Sequence, residues 1–306
     1  MIRNPVNLPA SIAGRLRNIA YKKRTNSEIL LRRYAIERLL YRLSHSRHRD
    51  RFVLKGAMLF TVWLDDPFRP TQDLDLLGFG GNSTDEIAEV FRQICRQEVE
   101  EDGPVFDVEN LTAEPIRHDQ NYGGLHIRTV AHLGRTRIPV QIDIGFGDAI
   151  TPGPAEIEFP PLLDTPAPIL KGYPRETVVT EKFQAIVMLG QANSRMKDYY
   201  DLAALARLFA FEGLTLAAAI RATFERRQTD LPETIPIGLS DAFARDPQKN
   251  AQWQAFRSRE PLFLPVGDLS EVVSEIGGFL MPPAEAARTN RSFDHIWPPE
   301  GYWRAQ

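Results

Sequence analysis

Cysteine and long apolar runs are what this sequence of 306 residues lacks most clearly. Cys95 is its single cysteine, so an intramolecular disulfide and a cysteine-rich zinc site are both excluded. The most apolar run, residues 202–211, is interrupted by Arg207 and is shorter than the roughly 20 residues that a membrane span requires. The first residues include no apolar segment typical of a signal peptide. We therefore expect a cytoplasmic protein that does not enter the membrane.

Several common catalytic motifs are also missing. The six histidines have no metal-binding spacing such as His-x-x-x-His, so a zinc hydrolase is not supported. Neither a Gly-x-Ser-x-Gly motif nor a Walker-type phosphate loop occurs. The composition is that of an ordinary globular protein, with 43% hydrophobic and 25% charged residues.

Charge is distributed unevenly along the chain. Residues 1–55 contain fourteen lysines and arginines against three acidic residues, a net charge of +11 that leaves −14 for the rest. A basic segment of this kind can attract a phosphate backbone. It can equally be a solvated helix surface or be compensated by acidic residues of the same protein.

The pattern of apolar residues and turns predicts an α/β core between helical segments. Two basic helices are expected, from Ser11 to about Arg24 and from Asn26 or Ser27 onward. From Phe52 the chain alternates between predicted strands and helices, and a strand hairpin is expected on either side of Gly134.

The second half of the chain is predicted to be mainly helical. Prolines crowd residues 151–170, which suggests a linker or an edge crossover and a domain boundary. Helices are expected from Glu176 to Leu189, Arg195 to Phe209, Leu214 to about Arg227, and Asp268 to Leu280, the last stopped by Pro282 and Pro283. We therefore divide the chain into basic helices (1–50), an α/β core (51–165) and a mainly helical domain (166–306).

Three aspartates are the strongest candidates for chemistry. Asp73 and Asp75 lie two residues apart on a predicted strand, so their side chains project from one face. Asp143 lies on another predicted strand and faces away from its apolar positions. Carboxylates in this arrangement bind one or two divalent ions, Mg²⁺ or alternatively Mn²⁺, for phosphoryl chemistry. The alternative for Asp73 and Asp75 is a solvated or turn-capping pair.

Lys55, Gly56 and Ala57 are predicted to form a turn that opens a helix. Glycine lets the backbone approach a phosphate closely, and the lysine can neutralise charge or only solvate the loop. Arg69 stands just before the two aspartates, where it can contact a nucleotide phosphate or form a structural ion pair.

A second group of candidates lies in the helical half. Lys182 and Lys197 are suitable point charges for phosphates, and Arg195 offers a planar fork. On charge pattern alone, these are ordinary helix-surface residues. Asp198 and Asp201 share one helix face and could simply satisfy the preference for acidic residues in a first turn.

Five motifs in a fixed order resemble the AbiEii/AbiGii nucleotidyltransferase toxins of bacterial abortive-infection systems, which are related to the MenT toxins. The resemblance runs from about residue 30 to 260. The motifs are Lys55-Gly56-Ala57-Met-Leu, Arg69-Pro-Thr-Gln-Asp73-Leu-Asp75-Leu, Val140-Gln-Ile-Asp143-Ile-Gly-Phe-Gly-Asp148, Thr180-Glu181-Lys182-Phe-Gln-Ala and Asn193-Ser-Arg195-Met-Lys197-Asp198-Tyr-Tyr-Asp201-Leu.

The resemblance implies a polymerase-beta-type nucleotidyltransferase core followed by a helical domain. It also implies a nucleoside triphosphate donor, Mg²⁺, and a cognate antitoxin, AbiEi-like or of another kind. In related toxins the acceptor is the 3′ end of tRNA, whose blocking stops translation. Carried over by motif, Asp73 and Asp75 would be metal ligands, Lys182 a triphosphate contact, and Asp198 an acid near the nucleophile or a second metal.

One departure from the wider superfamily concerns the turn. Gly-Ser is usual there, whereas this chain has Gly56-Ala57, so backbone N–H groups and Lys55 would have to bind phosphate without a serine hydroxyl. Two alternatives to an RNA-modifying toxin follow. One is a catalytically degenerate module that binds nucleic acid or a partner through the basic helices, and the other is a nucleotidyltransferase that modifies a protein or a small molecule.

Overall fold

The computed structural model describes residues 7–64, 73–116, 123–259, 262–299 and 301–306. The chain divides into two compact units. The first comprises Met1–Gly147 and Ala155–Gly172, and the second comprises Asp148–Pro154 and Tyr173–Gln306. The chain passes between them at three points, and the proline-rich segment contributes residues to both.

Within the described residues, the first unit contains one mixed sheet of eight strands. The strands are β1 (Phe52–Lys55), β2 (Leu74–Gly78), β3 (Val105–Phe106), β4 (Thr112–Ile116), β5 (Gly124–Leu133), β6 (Thr136–Phe146), β7 (Ala155–Glu158) and β8 (Ile169–Gly172). Their order is β3-β5-β6-β2-β1-β8-β7, and β4 pairs with β5. Strands β1 and β2 are antiparallel, as are β5 and β6, whereas β2 runs parallel to β6 and β1 parallel to β8. The predicted α/β core is confirmed.

Strands β5 and β6 form the predicted hairpin, and Gly134 adopts a left-handed φ of 60° in its turn. In β6, Val140, Ile142 and Ile144 are buried on one face. Asp143 and its alternate neighbours face the other side and are partly exposed. The predicted assignment of Asp143 to the polar face is therefore confirmed.

Four helices accompany this sheet in the described residues. They are α1 (Leu8–Lys23), α2 (Ser27–His45), α3 (Leu59–Trp63) and α4 (Thr84–Cys95). Helix α2 begins, as the sequence predicts, where the Asn26 side chain accepts the Glu28 backbone N–H at 2.8 Å, and α4 begins at the Ser83 cap. The helix expected after Gly56 is short, because a 3₁₀ turn (Gly56–Met58) precedes the five residues of α3.

The basic N-terminal segment is partly compensated within the first unit. Arg38 is fully buried beside Glu37 at 2.9 Å, and Arg42 makes a buried bidentate pair with Asp102 at 2.6 and 2.9 Å. The Arg42 pair fastens α2 to one loop, and the bonds from Arg38 Nη2 to the Pro166 carbonyl and from the Leu162 N–H to Glu37 Oε2, each 2.8 Å long, fasten it to another. Exposed cations gather instead on α1 and its C-terminal cap, as Arg17, Lys22, Lys23 and Arg24.

The described part of the second unit consists of helices and a small three-stranded sheet. The helices are α5 (Arg175–Leu189), α6 (Met196–Leu208), α7 (Gly213–Arg226), α8 (Asp241–Arg245), α9 (Pro247–Arg259) and α10 (Leu269–Thr289). The strands are β9 (Phe211–Glu212), β10 (His295–Trp297) and β11 (Arg304–Ala305), in the order β11-β10-β9. Phe183 of α5 and Phe224 of α7 are buried with ring centroids 5.4 Å apart. The predicted α5, α6 and α7 are confirmed.

The predicted end of α10 at Leu280 is wrong. The helix continues through Pro282 and Pro283 to Thr289. Proline has no N–H, so Pro283 cannot donate to the carbonyl of Phe279 four residues earlier. The indole Nε1 of Trp303 donates to that oxygen at 2.9 Å instead. A donor from the aromatic tail thus replaces the missing helical hydrogen bond.

Among the described residues, no helix is both long and apolar enough to cross a membrane.

Candidate active site

Four polar side chains lie at one level across adjacent strands of the first unit. Lys55 on β1 is opposite Asp75 on β2, Asp75 is opposite Asp143 on β6, and Asp143 is opposite His126 on β5. Residues directly opposite each other in a sheet project from the same face, with Cβ atoms about 4.5–5.5 Å apart. The sheet therefore brings together Lys55, Asp75 and Asp143, which the sequence predicts as site residues, and adds His126.

The Gly56 turn lies against the Asp75 carboxylate. Gly56 has a φ of 72°, and a Cβ atom placed on it would lie 2.7 Å from Cγ of Asp75 and still closer to its Oδ2. Both the backbone conformation and the close approach exclude a larger residue. Ala57 follows in the 3₁₀ turn and is partly exposed. Glycine is thus required here for the approach of a carboxylate as well as for the turn.

Asp143 is held by His126. The imidazole Nδ1 is in hydrogen-bond contact with Oδ1 of Asp143, and the His126 side chain is 13% exposed. Its buried Nε2 has no hydrogen-bond partner among the described residues. The contact with Oδ1 fixes the orientation of the Asp143 side chain.

His126 was not among the predicted site residues, although the hairpin contained the signal for it. The two-residue turn at Gly134 and Arg135 pairs Leu133 with Thr136, and counting outward from this pair places His126 opposite Asp143. The register of the hairpin was sufficient to identify the contact.

Asp73 lies immediately before β2, two residues from Asp75, and is partly exposed. It lines a cavity of about 350 Å³ together with Arg32, Arg128 and Gln141. Arg69, the remaining predicted residue of this region, lies outside the described residues.

The donor set of the sheet suits a hard divalent ion, because carboxylate oxygens are the ligands that Mg²⁺ and Mn²⁺ prefer. Asp75 and Asp143 are cross-strand neighbours, so one ion could contact both. In the described part of the chain, no group of three or more His, Cys, Asp and Glu side chains is arranged as a metal site. The carboxylates that the sheet register brings together are those of Asp75 and Asp143, and Asp73 lies two residues before Asp75.

The second unit contains a separate cluster of predicted residues. The Lys182 Nζ lies 2.8 Å from Oδ1 of Asp198 and 2.8 Å from Oδ2 of Asp201. Nε of Arg195 lies 2.6 Å from the other oxygen of Asp198. Both aspartates are fully buried, and Lys182 is 13% exposed. Two carboxylates and two cations thus balance in charge and fix the position of the lysine, whereas Lys197 is exposed.

The neighbouring Arg227 explains two further motif residues, Asp148 and Glu181. Its guanidinium donates to Oδ1 of Asp148 at 3.0 and 3.1 Å, to Gln184 at 3.0 Å, and lies 3.2 Å from Glu181. Burial tends to lower the pKa of Arg227, but the Glu181 and Asp148 carboxylates outweigh it and the pKa is raised. Asp148 and Glu181 therefore hold the arginine that joins α5, α7 and the segment after β6.

In the first unit, a mixed sheet thus presents paired carboxylates beside a glycine turn, which is the type of surface that phosphoryl- and nucleotidyl-transfer proteins use. The sequence identifies the family. The model of the nucleotidyl transferase AbiEii toxin of type IV toxin-antitoxin systems matches residues 38–287, and the chain belongs to this family. The protein is therefore a nucleotidyltransferase of the toxin type.

The chain resembles several solved structures, of which two are described. JHP933 from Helicobacter pylori is 14% identical, with 87% of this chain and 94% of that chain covered and a TM-score of 0.48. A protein of H. pylori described as a nucleotidyltransferase is 13% identical, with 88% and 100% covered and a TM-score of 0.48. No curated protein matches the chain.

Proposed function

We propose that this chain transfers a nucleotide from a nucleoside triphosphate to the 3′ end of tRNA and thereby inhibits translation. The observation that carries the proposal is the cross-strand pair of Asp75 and Asp143 beside the Gly56 turn, in a chain of the AbiEii family. In the reaction, the RNA 3′-oxygen bonds to the α-phosphorus and pyrophosphate leaves. The proton of the hydroxyl passes to solvent.

The first unit supplies the residues for this step. Asp75 and Asp143, with Asp73 beside them, would hold Mg²⁺ or Mn²⁺, which when bound neutralises phosphate charge and activates the attacking oxygen. Lys55 and the backbone of Gly56 and Ala57 bind the triphosphate, so no serine hydroxyl is needed in this arrangement. His126 keeps the Asp143 carboxylate in one orientation.

The second unit supplies the other proposed contacts. Lys182 contacts the triphosphate, Arg195 and Lys197 add positive charge, and Asp198 acts near the nucleophile. The support for these roles is the motif resemblance, since Lys182 is already paired with the buried Asp198 and Asp201 carboxylates in this structure. Arg69 is proposed as a further phosphate contact on the basis of its motif alone.

Type IV toxin-antitoxin systems pair a toxin with an antitoxin, so the family implies an antitoxin partner. We propose that this partner is encoded beside the chain, as an AbiEi-like or other protein, and that the toxin acts in the cytoplasm. A small antitoxin-like or DNA-binding reading frame directly upstream would support this pairing.

The proposal is tested by incubating the purified chain with each α-labelled nucleoside triphosphate, Mg²⁺ or Mn²⁺, and total tRNA. Wild type should label the 3′ end of tRNA, whereas Asp73→Ala and Asp75→Asn should not. Asp241→Asn is the matched control, because Asp241 is an exposed aspartate of α8 that pairs with Arg245 in the second unit. Its activity should equal that of wild type.

The other outcomes separate the alternatives. No transfer to any RNA with any nucleotide would contradict the proposed acceptor. Label in a protein or small-molecule fraction would indicate a different acceptor. Salt-sensitive RNA binding that Asp73→Ala leaves unchanged, without any transfer, would indicate a binding module in which Ala57 marks the loss of catalysis.

A further inference from the structure

The cavity beside Asp73 has a lining suited to a nucleotide. Its volume is about 350 Å³, and its polar wall is formed by Arg32, Arg128, Asn110 and Gln141. Val130 and Pro139 form part of its apolar wall. Arginine forks bind phosphate, side-chain amides bind base edges, and an apolar wall accepts the face of a ribose or base.

The cavity lies on the same face of the sheet as the carboxylates. Arg128 on β5 is directly opposite Gln141 on β6, and these residues stand two positions from His126 and Asp143 on the same strands. Side chains two residues apart in a strand share a face. The cavity therefore lies on the same face as the candidate active site, two residues along the strands from it, and most of its lining residues belong to β5 and β6.

The strand order determines which substrate this side can accept. In an in-line displacement, the attacking oxygen and the departing pyrophosphate lie on opposite sides of the α-phosphorus. With the departing phosphates at the Gly56 turn of β1 and the α-phosphorus over Asp75 and Asp143, the attacking hydroxyl comes from the side away from β1. The order β1-β2-β6-β5 makes that side β6 and β5.

We propose that this cavity binds the 3′-terminal nucleotides of the RNA acceptor, with Arg128 and Arg32 holding the phosphodiester and Asn110 and Gln141 facing the base. The proposal rests on the proposed function, because it assumes transfer to an RNA 3′ end. It adds the location of the acceptor and the residues that hold it.

Glu114, the ion-pair partner of Arg128, provides a variant that should raise RNA affinity rather than lower it. Arg128 Nη1 donates to Oε2 of Glu114 at 3.1 Å, and both side chains are more than half exposed. An arriving phosphate would compete with this carboxylate for the guanidinium. Glu114→Gln should therefore strengthen RNA binding a few-fold, whereas Arg128→Ala should weaken it.

The experiment measures binding rather than transfer, so it does not depend on catalysis. A fluorescent RNA stem-loop with a four-nucleotide single-stranded 3′ end is compared with the same stem-loop without that end, in the absence of nucleotide. Arg128→Ala should weaken binding of the first RNA about tenfold and lower the slope of log affinity against log salt by about one. Removing the 3′ end should cost a similar factor in wild type and almost nothing in Arg128→Ala, because both changes delete one contact.

Arg96→Ala is the matched control. Arg96 is 53% exposed and pairs with exposed Glu109 at 3.0 Å, much as Arg128 is 56% exposed and pairs with Glu114, but Arg96 does not line the cavity. Its RNA affinity should remain within twofold of wild type. Thermal melting shows whether each variant is folded. If Arg128→Ala does not fold, Arg32→Ala and Arg128→Gln test the same phosphate contact.

Four results would overturn the proposal. The first is an additive effect of Arg128→Ala and removal of the 3′ end, which would place the arginine against the RNA stem. The second is equal weakening by Arg96→Ala, and the third is no RNA binding by wild type. The fourth is weaker binding of labelled nucleoside triphosphate by Arg128→Ala in equilibrium dialysis with Mg²⁺, which would place the cavity on the donor side. Absence of transfer with the expected binding results would instead contradict only the proposed function.

Discussion

His126 and Asp143 lie directly opposite each other on β5 and β6, and the imidazole Nδ1 contacts one oxygen of the Asp143 carboxylate. Asp143 is a proposed metal ligand, and a group that orients a metal-binding carboxylate typically changes metal affinity or activity by about 10–100-fold when it is removed. His126→Phe should therefore lower kcat by such a factor and raise the Mg²⁺ concentration needed for half-maximal rate. His126→Asn keeps a hydrogen-bond donor, so its kcat and its Mg²⁺ requirement should both lie between those of wild type and His126→Phe.

The control for this prediction is His132→Phe. His132 lies on the same strand and face but is opposite Arg137 rather than an aspartate. Its kcat and Mg²⁺ dependence should be unchanged. Equal losses in both variants, or a loss in His126→Phe without any change in Mg²⁺ dependence, would show that His126 has only a structural role.

Gly56→Ala should abolish activity because its methyl group would displace the Asp75 carboxylate. The change also places alanine at a φ of 72°, which costs roughly 1–2 kcal/mol. Gly80→Ala separates the two effects, since Gly80 has a φ of 85° but its Cβ would meet nothing closer than Arg51 Nε at 3.9 Å. Urea unfolding should show similar destabilisation of both variants, whereas transfer activity should be lost in Gly56→Ala alone. Retained activity in Gly56→Ala would mean that Asp75 can move without loss of the site.

The sequence was sufficient to predict most of the carboxylate surface of the first unit. Period-two alternation placed Asp143 on the polar face of its strand. The glycine turn was predicted for the approach of a phosphate, and the close contact that the structure shows at Gly56 is with the Asp75 carboxylate. These features depend on local sequence patterns. The contact between His126 and Asp143 depends on the register of the hairpin. That register can be predicted from the sequence only if the length of the turn is known.

Other features depended on tertiary contacts that no local pattern shows. Pro282 and Pro283 predict a helix end, whereas the helix continues and the distant Trp303 donates to the Phe279 carbonyl that Pro283 cannot reach with an N–H. The proline-rich segment indicates a break, yet residues 155–158 and 169–172 form strands β7 and β8 of the sheet. Helix α9 has only Lys249 and Trp253 buried, so its sequence carries almost no amphipathic signal.

The Cys95 thiol should be unreactive in the folded protein. Burial raises its pKa to about 12, with smaller opposite effects from Arg42 and Arg96. At pH 8 only about one thiol in ten thousand would then be ionised, and the thiolate is the form that reacts. Ellman's reagent should therefore modify Cys95 only after unfolding in urea. Rapid modification of the native protein at pH 8 would contradict this burial.

Arg227→Met should destabilise the second unit by about 3 kcal/mol, because it leaves the Asp148 and Glu181 carboxylates partly buried without their cation. Arg245→Ala is the control, since Arg245 is 77% exposed and its pair with Asp241 at 3.3 Å should contribute less than about 1 kcal/mol. Urea unfolding followed by circular dichroism measures both. If the free energy of unfolding falls by less than about 1 kcal/mol in Arg227→Met, the two carboxylates are hydrated in the variant and the prediction is wrong.

The hydrogen bond from Trp303 to the Phe279 carbonyl should be worth more in the presence of Pro283 than in its absence. Trp303→Phe removes the donor and leaves the carbonyl without its helical partner, which should cost about 1–3 kcal/mol, part of it from lost ring contacts. In a Pro283→Ala background, residue 283 has an N–H that can donate to the same carbonyl. The cost of Trp303→Phe should then fall by about 1 kcal/mol, which a double-mutant cycle of unfolding free energies measures. Equal costs in both backgrounds would show that the indole stabilises α10 through packing alone.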